Sequence, residues 1–173
     1  MCTSDLPGEG ALVGRMTPHV MEAARARGAD RDPVLRQRLA HLDMMERVFQ
    51  YTSVRNAASV ASGKPGVSGS IVKLLRSDLA RLGREVGMEV LGAHGLVAKS
   101  AMSGGTIQHF ALSSPYTSIA GGTDEIQRNI IAERILGLPR EEAADRDRPF
   151  REVISGTQAT GKSGAGKIGR AHV

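Results

Sequence analysis

The sequence predicts an all-α protein, an antiparallel up-and-down bundle that is an incomplete four-helix bundle with flexible termini. Aromatic residues make up only 3% of the 173 residues and there is no Trp. The core must therefore be aliphatic, which suits packed helices better than a sheet sandwich. Apolar residues also recur every three or four positions over long stretches, which is the helical period. Clusters of glycine and proline separate these stretches and mark the connections.

The first long helix is predicted over residues 33–62. Asp32 is a favourable N-cap, and Pro33 stands at the first helical position, where proline is preferred. The apolar stripe that follows keeps the helical spacing: Leu35, Leu39, Leu42, Met45 and Phe49. Residues 1–31 in front of this helix are predicted to form a partly disordered leader, with a short helix over 18–28.

A second long helix is predicted over residues 67–91, after a break at 63–66 that contains two glycines and a proline. Because the connection has only four residues, the two long helices should be antiparallel neighbours. The apolar stripe of the second helix consists of Ile71, Leu74, Leu75, Leu79, Leu82, Val86 and Val90.

Two further helices are predicted before the chain loses its apolar pattern. A weaker one covers 106–113 and ends before Pro115, and the last one starts at Thr123 and stops at Gly137, with Pro139 following. The apolar stripe of the last helix is Ile126, Ile130, Ile131 and Ile135. Residues 143–173 form a basic tail rich in glycine and serine, which is predicted to be disordered.

Charge and composition exclude several classes of function. The net charge is +5 and the sequence pI about 9.9, but the arginines are dispersed, which indicates a solvated surface rather than a nucleic-acid patch. Cys2 is the one cysteine, so no internal disulfide can form. No apolar run approaches the roughly 20 residues that cross a bilayer, and no secretion signal precedes the first helix. The histidines lack metal-ligand spacing, so we predict no metal site. From the single cysteine, the missing apolar run and the missing secretion signal we predict a cytoplasmic protein without membrane insertion.

A phosphate-loop pattern occurs near the end of the chain. The stretch GTQATGKS, residues 156–163, matches the pattern G-x-x-x-x-G-K-[ST]. Such a loop needs a buried strand before it, a helix after it and a later acidic residue for magnesium. Only ten glycine-rich residues follow Ser163, and no Asp or Glu follows Glu152. The match is therefore interpreted as part of a flexible tail, and a phosphate-loop nucleotide binder is set aside.

The start of the last helix is the most informative stretch for function. Gly121 and Gly122 give a tight turn without Cβ atoms, and Thr123 is placed as the N-cap. Asp124 and Glu125 in the first turn would repel a phosphate but can accept hydrogen bonds from the hydroxyls of a ribose. This helix end is predicted to meet the sugar of a nucleotide. An ordinary capped helix is the alternative interpretation.

Two stretches resemble a known family. GGTDEIQRNIIAERILGLPRE, residues 121–141, closely resembles the C-terminal signature of acyl-CoA dehydrogenases. LGAHGL, residues 91–96, is similar to the second glycine motif of that family. The two long predicted helices stand where the family has the central helices of its C-terminal bundle. The resemblance covers residues 32–142, which is predicted to be an acyl-CoA dehydrogenase C-terminal-like helical domain.

The resemblance implies a flavin enzyme that oxidises the Cα–Cβ bond of an acyl-CoA thioester. In this family a glutamate removes the α-proton and the β-hydrogen leaves as hydride to FAD. Subunits usually form tetramers, and the adenosine and pyrophosphate of each FAD are held by a neighbour's C-terminal domain. By position, the resemblance implies six FAD-binding residues in this chain: Glu89, Gly92, Ala93, Gly95, Thr123 and Glu125.

Several departures from the family limit what we expect of this chain. The N-terminal domain, the β-domain and the first helix of the bundle are expected to be missing. The position of the catalytic glutamate in many members is Gly121, so no catalytic residue is assigned. Glu89 and Ala93 replace a common glutamine and glycine. We therefore expect poor solubility and no activity from the isolated chain, which could be a truncated gene product. The alternative is a non-catalytic helical partner that completes another subunit's flavin site, in a homo-oligomer or hetero-oligomer.

Overall fold

The structure is a computed structural model that describes residues 16–63, 68–97 and 104–140, together with Pro149. The chain divides into two units, Met1–Leu138 and Pro139–Val173, and every described helix lies in the first. Several predictions concern residues outside the described part. These are the disordered leader before residue 16, the break at 64–66, Cys2, the tail at 143–173 apart from Pro149, and the phosphate-loop match at 156–163.

The described part of the chain is all-helical and contains no strand, as predicted. Three short 3₁₀ turns connect or extend the helices at Ala29–Arg31, Gly92–Leu96 and Ser114–Ser118. The antiparallel up-and-down arrangement stays a prediction. Among the described residues there are five α-helices: α1 (Met16–Arg27), α2 (Pro33–Ala61), α3 (Ser68–Leu91), α4 (Thr106–Ser113) and α5 (Asp124–Arg134).

Helix α2 begins where its capping residues predict. The Asp32 carboxylate accepts hydrogen bonds from the backbone N–H groups of Val34 at 2.7 Å and Leu35 at 3.1 Å. Two of the predicted apolar positions, Leu39 and Leu42, are buried, and the other three pack against them partly buried. Beyond Glu46, however, no residue of α2 is buried. The second half of this long helix therefore adds no fully buried residue to the described core.

Helix α3 is the centre of the domain and packs against the other four helices. Its buried face combines the predicted residues Leu79, Val86 and Val90 with small residues that the periodicity did not single out. A Cβ atom on Gly87 would lie 2.8 Å from Cγ2 of Ile107, which is too close. The glycine thus allows α4 to approach the backbone of α3 directly.

Helix α1 corrects the expectation that no helix of the bundle precedes α2. It begins two residues before the predicted start at 18, and its buried face enters the same core as α2 and α3. That face consists of Met16, Val20, Ala23 and Ala24. The sequence signal is weak because two of these four side chains are alanines.

Helix α5 is predicted correctly at its start but not in the face that it buries. Ile126 and Ile135 of the predicted apolar stripe are exposed, whereas Asp124 and Gln127 are buried. The helix ends at Arg134, and Gly137 has φ +65°, the left-handed conformation expected of a residue that follows a helix. The start of α5 is therefore held in the core by polar contacts.

Candidate functional site

The start of α5 has the geometry that the sequence predicts. Gly121 and Gly122 have φ +71° and +91°, and Thr123 follows in an extended conformation. Oγ1 of Thr123 accepts a hydrogen bond of 3.4 Å from the N–H of Ile126, so Thr123 is the N-cap. Nε2 of Gln127 donates to the carbonyl of Gly121 at 3.0 Å, so the first turn of α5 is bonded to the glycine turn before it. The φ of +91° at Gly122 is a conformation that residues with a Cβ atom rarely adopt, so the turn favours glycine there.

Asp124 does not face a ligand, contrary to the prediction that its carboxylate is available to ribose hydroxyls. The residue is 3% exposed. Its Oδ1 lies 2.5 Å from Nζ of Lys73, and its Oδ2 lies 2.9 Å from Nη1 of Arg81. Burial on its own would raise the pKa of Asp124, but hydrogen bonds from Lys73 and Arg81 bring that pKa well below its usual value. The carboxylate is therefore a charged anchor inside the domain.

Glu125 points the other way and remains available. Its side chain is 78% exposed, and its nearest cation is Arg128, 4.0 Å away. Hydrogen bonds from its own backbone N–H and from the Thr123 side chain lower the pKa of Glu125. Glu125 is thus an exposed, charged acceptor at the start of α5 that could receive hydrogen bonds from sugar hydroxyls. The neighbouring Thr123 hydroxyl is already bonded to the N–H of Ile126 and to Glu125.

Gly121, the position of the family's catalytic glutamate, is exposed. Around the place where a Cβ atom would stand, no atom beyond the neighbouring residues lies within 4 Å. The turn therefore presents open space at this position instead of a carboxylate.

The other four predicted cofactor residues lie at the C-terminal end of α3. Gly92 has φ +54°, Ala93 is exposed, and Gly95 is buried beneath the turn. The carboxylate of Glu89 forms an ion pair with Arg38 of α2. This pair offsets the negative charge of Glu89, which would otherwise repel a pyrophosphate.

Arg27 is a residue at this turn that the sequence did not single out. Its Nη1 donates to the carbonyl of Val90 at 2.7 Å and also to the carbonyl of Leu91. A Cβ atom on Gly92 would lie 3.2 Å from the same nitrogen. The guanidinium caps the last carbonyls of α3 and offsets the negative end of the helix dipole. The basic last turn of α1 was the available signal, but only the packing of α1 on α3 shows its target.

The structure does not bring the two groups of predicted residues together. The Thr123 group is tied to α3 near Ser77, whereas the Gly92 group follows Leu91 at the end of the same helix. At a rise of about 1.5 Å per residue, the two places are roughly 20 Å apart along α3. A single ligand that contacted both groups would therefore have to be extended.

Other features of the described domain lie away from these residues. One cavity of about 530 Å³ is lined by Met21, Arg25 and Arg36 among others, and a second of about 370 Å³ by Thr17 and Glu46 among others. None of the six predicted cofactor residues lines either cavity. Within residues 16–63, 68–97 and 104–140, no helix is long and apolar enough to cross a membrane, and no group of His, Cys, Asp or Glu could hold a metal ion.

The family model for the acyl-CoA dehydrogenase C-terminal domain matches residues 10–136, which include both groups of predicted residues. The chain belongs to the acyl-CoA dehydrogenase family. The match begins before α1, which agrees with the place of that helix in the core.

Relatives in mycobacteria support the same assignment. The chain is 34% identical over 137 residues to acyl-CoA dehydrogenase IpdE1 of Mycobacterium tuberculosis, a match that covers 78% of this chain and 34% of that protein. It is 35% identical over 139 residues to IpdE1 of Mycolicibacterium smegmatis, covering 78% and 33%. The chain thus spans about a third of the length of these acyl-CoA dehydrogenases.

Two solved structures share the helical fold of this chain. The structure of the Tcur3481-Tcur3483 steroid ACAD G363A variant matches with a TM-score of 0.69 at 24% identity, covering 78% of this chain and 37% of that chain. The ChsE4-ChsE5 complex from Mycobacterium tuberculosis matches with a TM-score of 0.64 at 24% identity, covering 73% and 36%.

Proposed function

We propose that the chain is the cofactor-contacting C-terminal region of an FAD-dependent acyl-CoA dehydrogenase. The reaction is the oxidation of the Cα–Cβ bond of an acyl-CoA thioester. The observation that carries the proposal is the start of α5, where Glu125 is exposed beside the half-buried Thr123 while Asp124 is turned into the core. FAD, when bound, accepts the hydride that leaves the β-carbon of the substrate.

The residues present fit the non-reacting parts of FAD. Thr123 and Glu125 supply acceptors for sugar hydroxyls at the start of α5. At the end of α3, Arg27 and Arg38 offset the negative charges of the helix end and of Glu89, so a pyrophosphate can approach the backbone after Gly92. The separation of roughly 20 Å along α3 suits either an extended dinucleotide or two FAD molecules shared between subunits.

Removal of the α-proton requires a base, and the described residues have none at Gly121, where many members of the family carry the catalytic glutamate. Gly121 has no side chain to take the α-proton, and Glu125, although near, projects from the following helix turn. We therefore propose that the chain works in an assembly with a fuller dehydrogenase subunit that carries the base. The structurally similar Tcur3481-Tcur3483 and ChsE4-ChsE5 proteins are named as pairs of chains, which supports a hetero-oligomer over a homo-oligomer.

A non-catalytic helical partner is the second candidate, and the open space at Gly121 favours it. In this role the chain would complete the flavin site of another subunit without turning over substrate at its own. Both candidates use the same FAD contacts, and they differ in whether an acyl-CoA reacts at the start of α5.

The experiment compares the purified chain with the chain co-purified with a complete acyl-CoA dehydrogenase subunit. We expect no acyl-CoA oxidation from the chain alone with an artificial electron acceptor, and retained flavin absorption in the assembly. The double variant Thr123→Val with Glu125→Gln should lose flavin, whereas Glu22→Gln, an exposed glutamate on α1, should keep it. Turnover by the chain alone would show that the base has been misplaced, and flavin retention unaffected by the double variant would refute the cofactor contact.

A further inference from the structure

One face of α3 carries three polar residues that all contact the turn before α5. Lys73, Ser77 and Arg81 are spaced four residues apart, so their side chains lie in a row along the helix. Oγ of Ser77 donates to the carbonyl of Thr117 at 3.1 Å. The family assignment gives no role to this row.

The two cations each hold both ends of the same turn. Nζ of Lys73 donates to the carbonyl of Ser118 at 3.2 Å and to Oδ1 of Asp124 at 2.5 Å. Nη1 of Arg81 donates to Oγ of Ser118 at 2.8 Å and to Oδ2 of Asp124 at 2.9 Å. Both ends of the segment from Ser118 to Asp124 are therefore bonded to the same two side chains of α3, Lys73 and Arg81.

Burial makes these contacts strong. The side chain of Asp124 is 5% exposed and that of Lys73 is 14% exposed, so water competes weakly for either group. Between the two anchor points, residues 119–122 are exposed or half-buried, and the backbone adopts the left-handed conformation at both glycines. Two glycines in succession give the segment wide conformational freedom, so its shape depends on how its ends are fixed.

We propose that Lys73 and Arg81 are positioning residues that fix the turn from Ser118 to Asp124 and thereby hold Thr123 and Glu125 in place for FAD. This proposal rests on the proposed function. The two cations touch neither Thr123 nor Glu125 in any described contact, and they act through Asp124 and Ser118. Turning Asp124 inward also removes one negative charge from the ligand-facing end of α5, which leaves Glu125 as the acceptor there.

The test uses Lys73→Met, the conservative variant Lys73→Arg, and the milder variant Ser118→Ala. Ser118→Ala removes one of the contacts of Arg81, the one with the Ser118 hydroxyl, and leaves its contact with Asp124. Arg84→Met is the control, because it removes the same charge from α3 at a residue whose described ion pair is with Glu85, 3.7 Å away. Amide hydrogen exchange of the full chain is read at Ile119, Ala120 and Ile126, whose N–H groups are bonded within or next to the turn. FAD affinity is read in the assembly with a complete dehydrogenase subunit.

We expect Lys73→Met to lower the protection of these amides by about tenfold and to weaken FAD binding by a similar factor, which is the usual scale for losing a charged hydrogen bond. Lys73→Arg should restore most of both, Ser118→Ala should show the smaller loss in the same amides, and Arg84→Met should change neither. If Lys73→Met does not fold, the result for Ser118→Ala decides whether the contacts with α3 position the turn.

Two results would overturn the positioning role. In the first, the amides of the turn exchange in the variants at the same rate as in the wild type. In the second, the affinity for FAD stays unchanged and only the melting temperature falls. A wild-type assembly that binds no FAD would instead refute the proposed function, and the exchange of the turn amides would then still decide whether the two cations hold the turn.

Discussion

A carboxylate as buried as Asp124 is stable in a folded protein only while charged partners satisfy it. Lys73 and Arg81 provide this compensation, and the pKa of Asp124 is lowered accordingly. Neither partner is near Asp124 in the sequence, so the ion pairs form only when α5 docks on α3. The stability that they contribute therefore belongs to the tertiary structure rather than to helix α5 itself.

The lowered pKa has a defined consequence for stability against pH. Because the pKa of Asp124 is lower in the folded chain than the value of about 3.9 in the unfolded chain, the contribution is complete above that value and is lost as the pH falls below it. We expect Asp124→Asn to lower the free energy of unfolding at neutral pH by about 3 kcal/mol, the usual cost of breaking a buried pair. The difference from wild type should narrow below about pH 4.

Denaturant unfolding at neutral pH and at low pH measures this difference. Asp43→Asn is the matched control, because its pair with Arg47 is largely exposed and should contribute less than about 1 kcal/mol. Equal stabilities of wild type and Asp124→Asn at neutral pH, or a difference that does not vary with pH, would contradict the anchoring role of Asp124.

At the scale of single elements, the glycines of α3 decide how closely its neighbours pack. Ile107 of α4 and Val20 of α1 both approach the place where a Cβ atom of Gly87 would stand, at 2.8 and 3.4 Å. Both side chains are fully buried, and β-branched residues have few alternative rotamers. A methyl group at this position cannot be accommodated by a simple side-chain rotation.

We therefore expect Gly87→Ala to destabilise the domain by about 1–3 kcal/mol, the usual cost of overpacking, although alanine favours helix formation. Gly69→Ala on the same helix is the control. A Cβ atom on Gly69 would meet no atom of another element within 4 Å, so alanine should there stabilise by up to about 1 kcal/mol. Thermal unfolding of the two variants should shift in opposite directions, and a Gly87→Ala variant as stable as Gly69→Ala would refute the close packing.

The helices with strong local signals could be predicted from the sequence. Asp32 with Pro33 placed the start of α2, and Thr123 after two glycines placed the start of α5. The buried face of α5 could not be predicted, because its isoleucines outweigh Asp124 and Gln127 in any apolar pattern. Only the long-range pairs with α3 turn the polar residues inward. The place of α1 in the core could not be predicted either, because two of its buried side chains are alanines, which give a weak apolar pattern.

The candidate site was predicted by family resemblance more than by local chemistry. Thr123 as the N-cap follows from the sequence, and the structure agrees. Arg27 and the row from Lys73 to Arg81 come from distant parts of the chain, so no local pattern connects them to the glycine turns. A spacing of four residues between Lys73, Ser77 and Arg81 was the available signal, but such a row is equally typical of a solvated helix face.

At the scale of the whole molecule, the domain leaves large apolar side chains on its surface. Those on α2 are Val34, Met44, Val48, Tyr51, Val54 and Val60, and α5 adds Ile126. The chain spans about a third of the length of its curated relatives. In the proposed assembly, part of this exposed apolar surface would contact another protein chain. The predicted poor solubility of the isolated chain stays a prediction.

The central claim is that the start of α5 contacts FAD within such an assembly. The most direct measurement is an NMR titration with FAD of the isotope-labelled chain bound to an unlabelled complete dehydrogenase subunit. We predict that the amide signals of Thr123 and Glu125 shift on addition of FAD while those of α1 residues around Val20 stay in place. Signals at Thr123 and Glu125 that do not move at saturating FAD would contradict the claim.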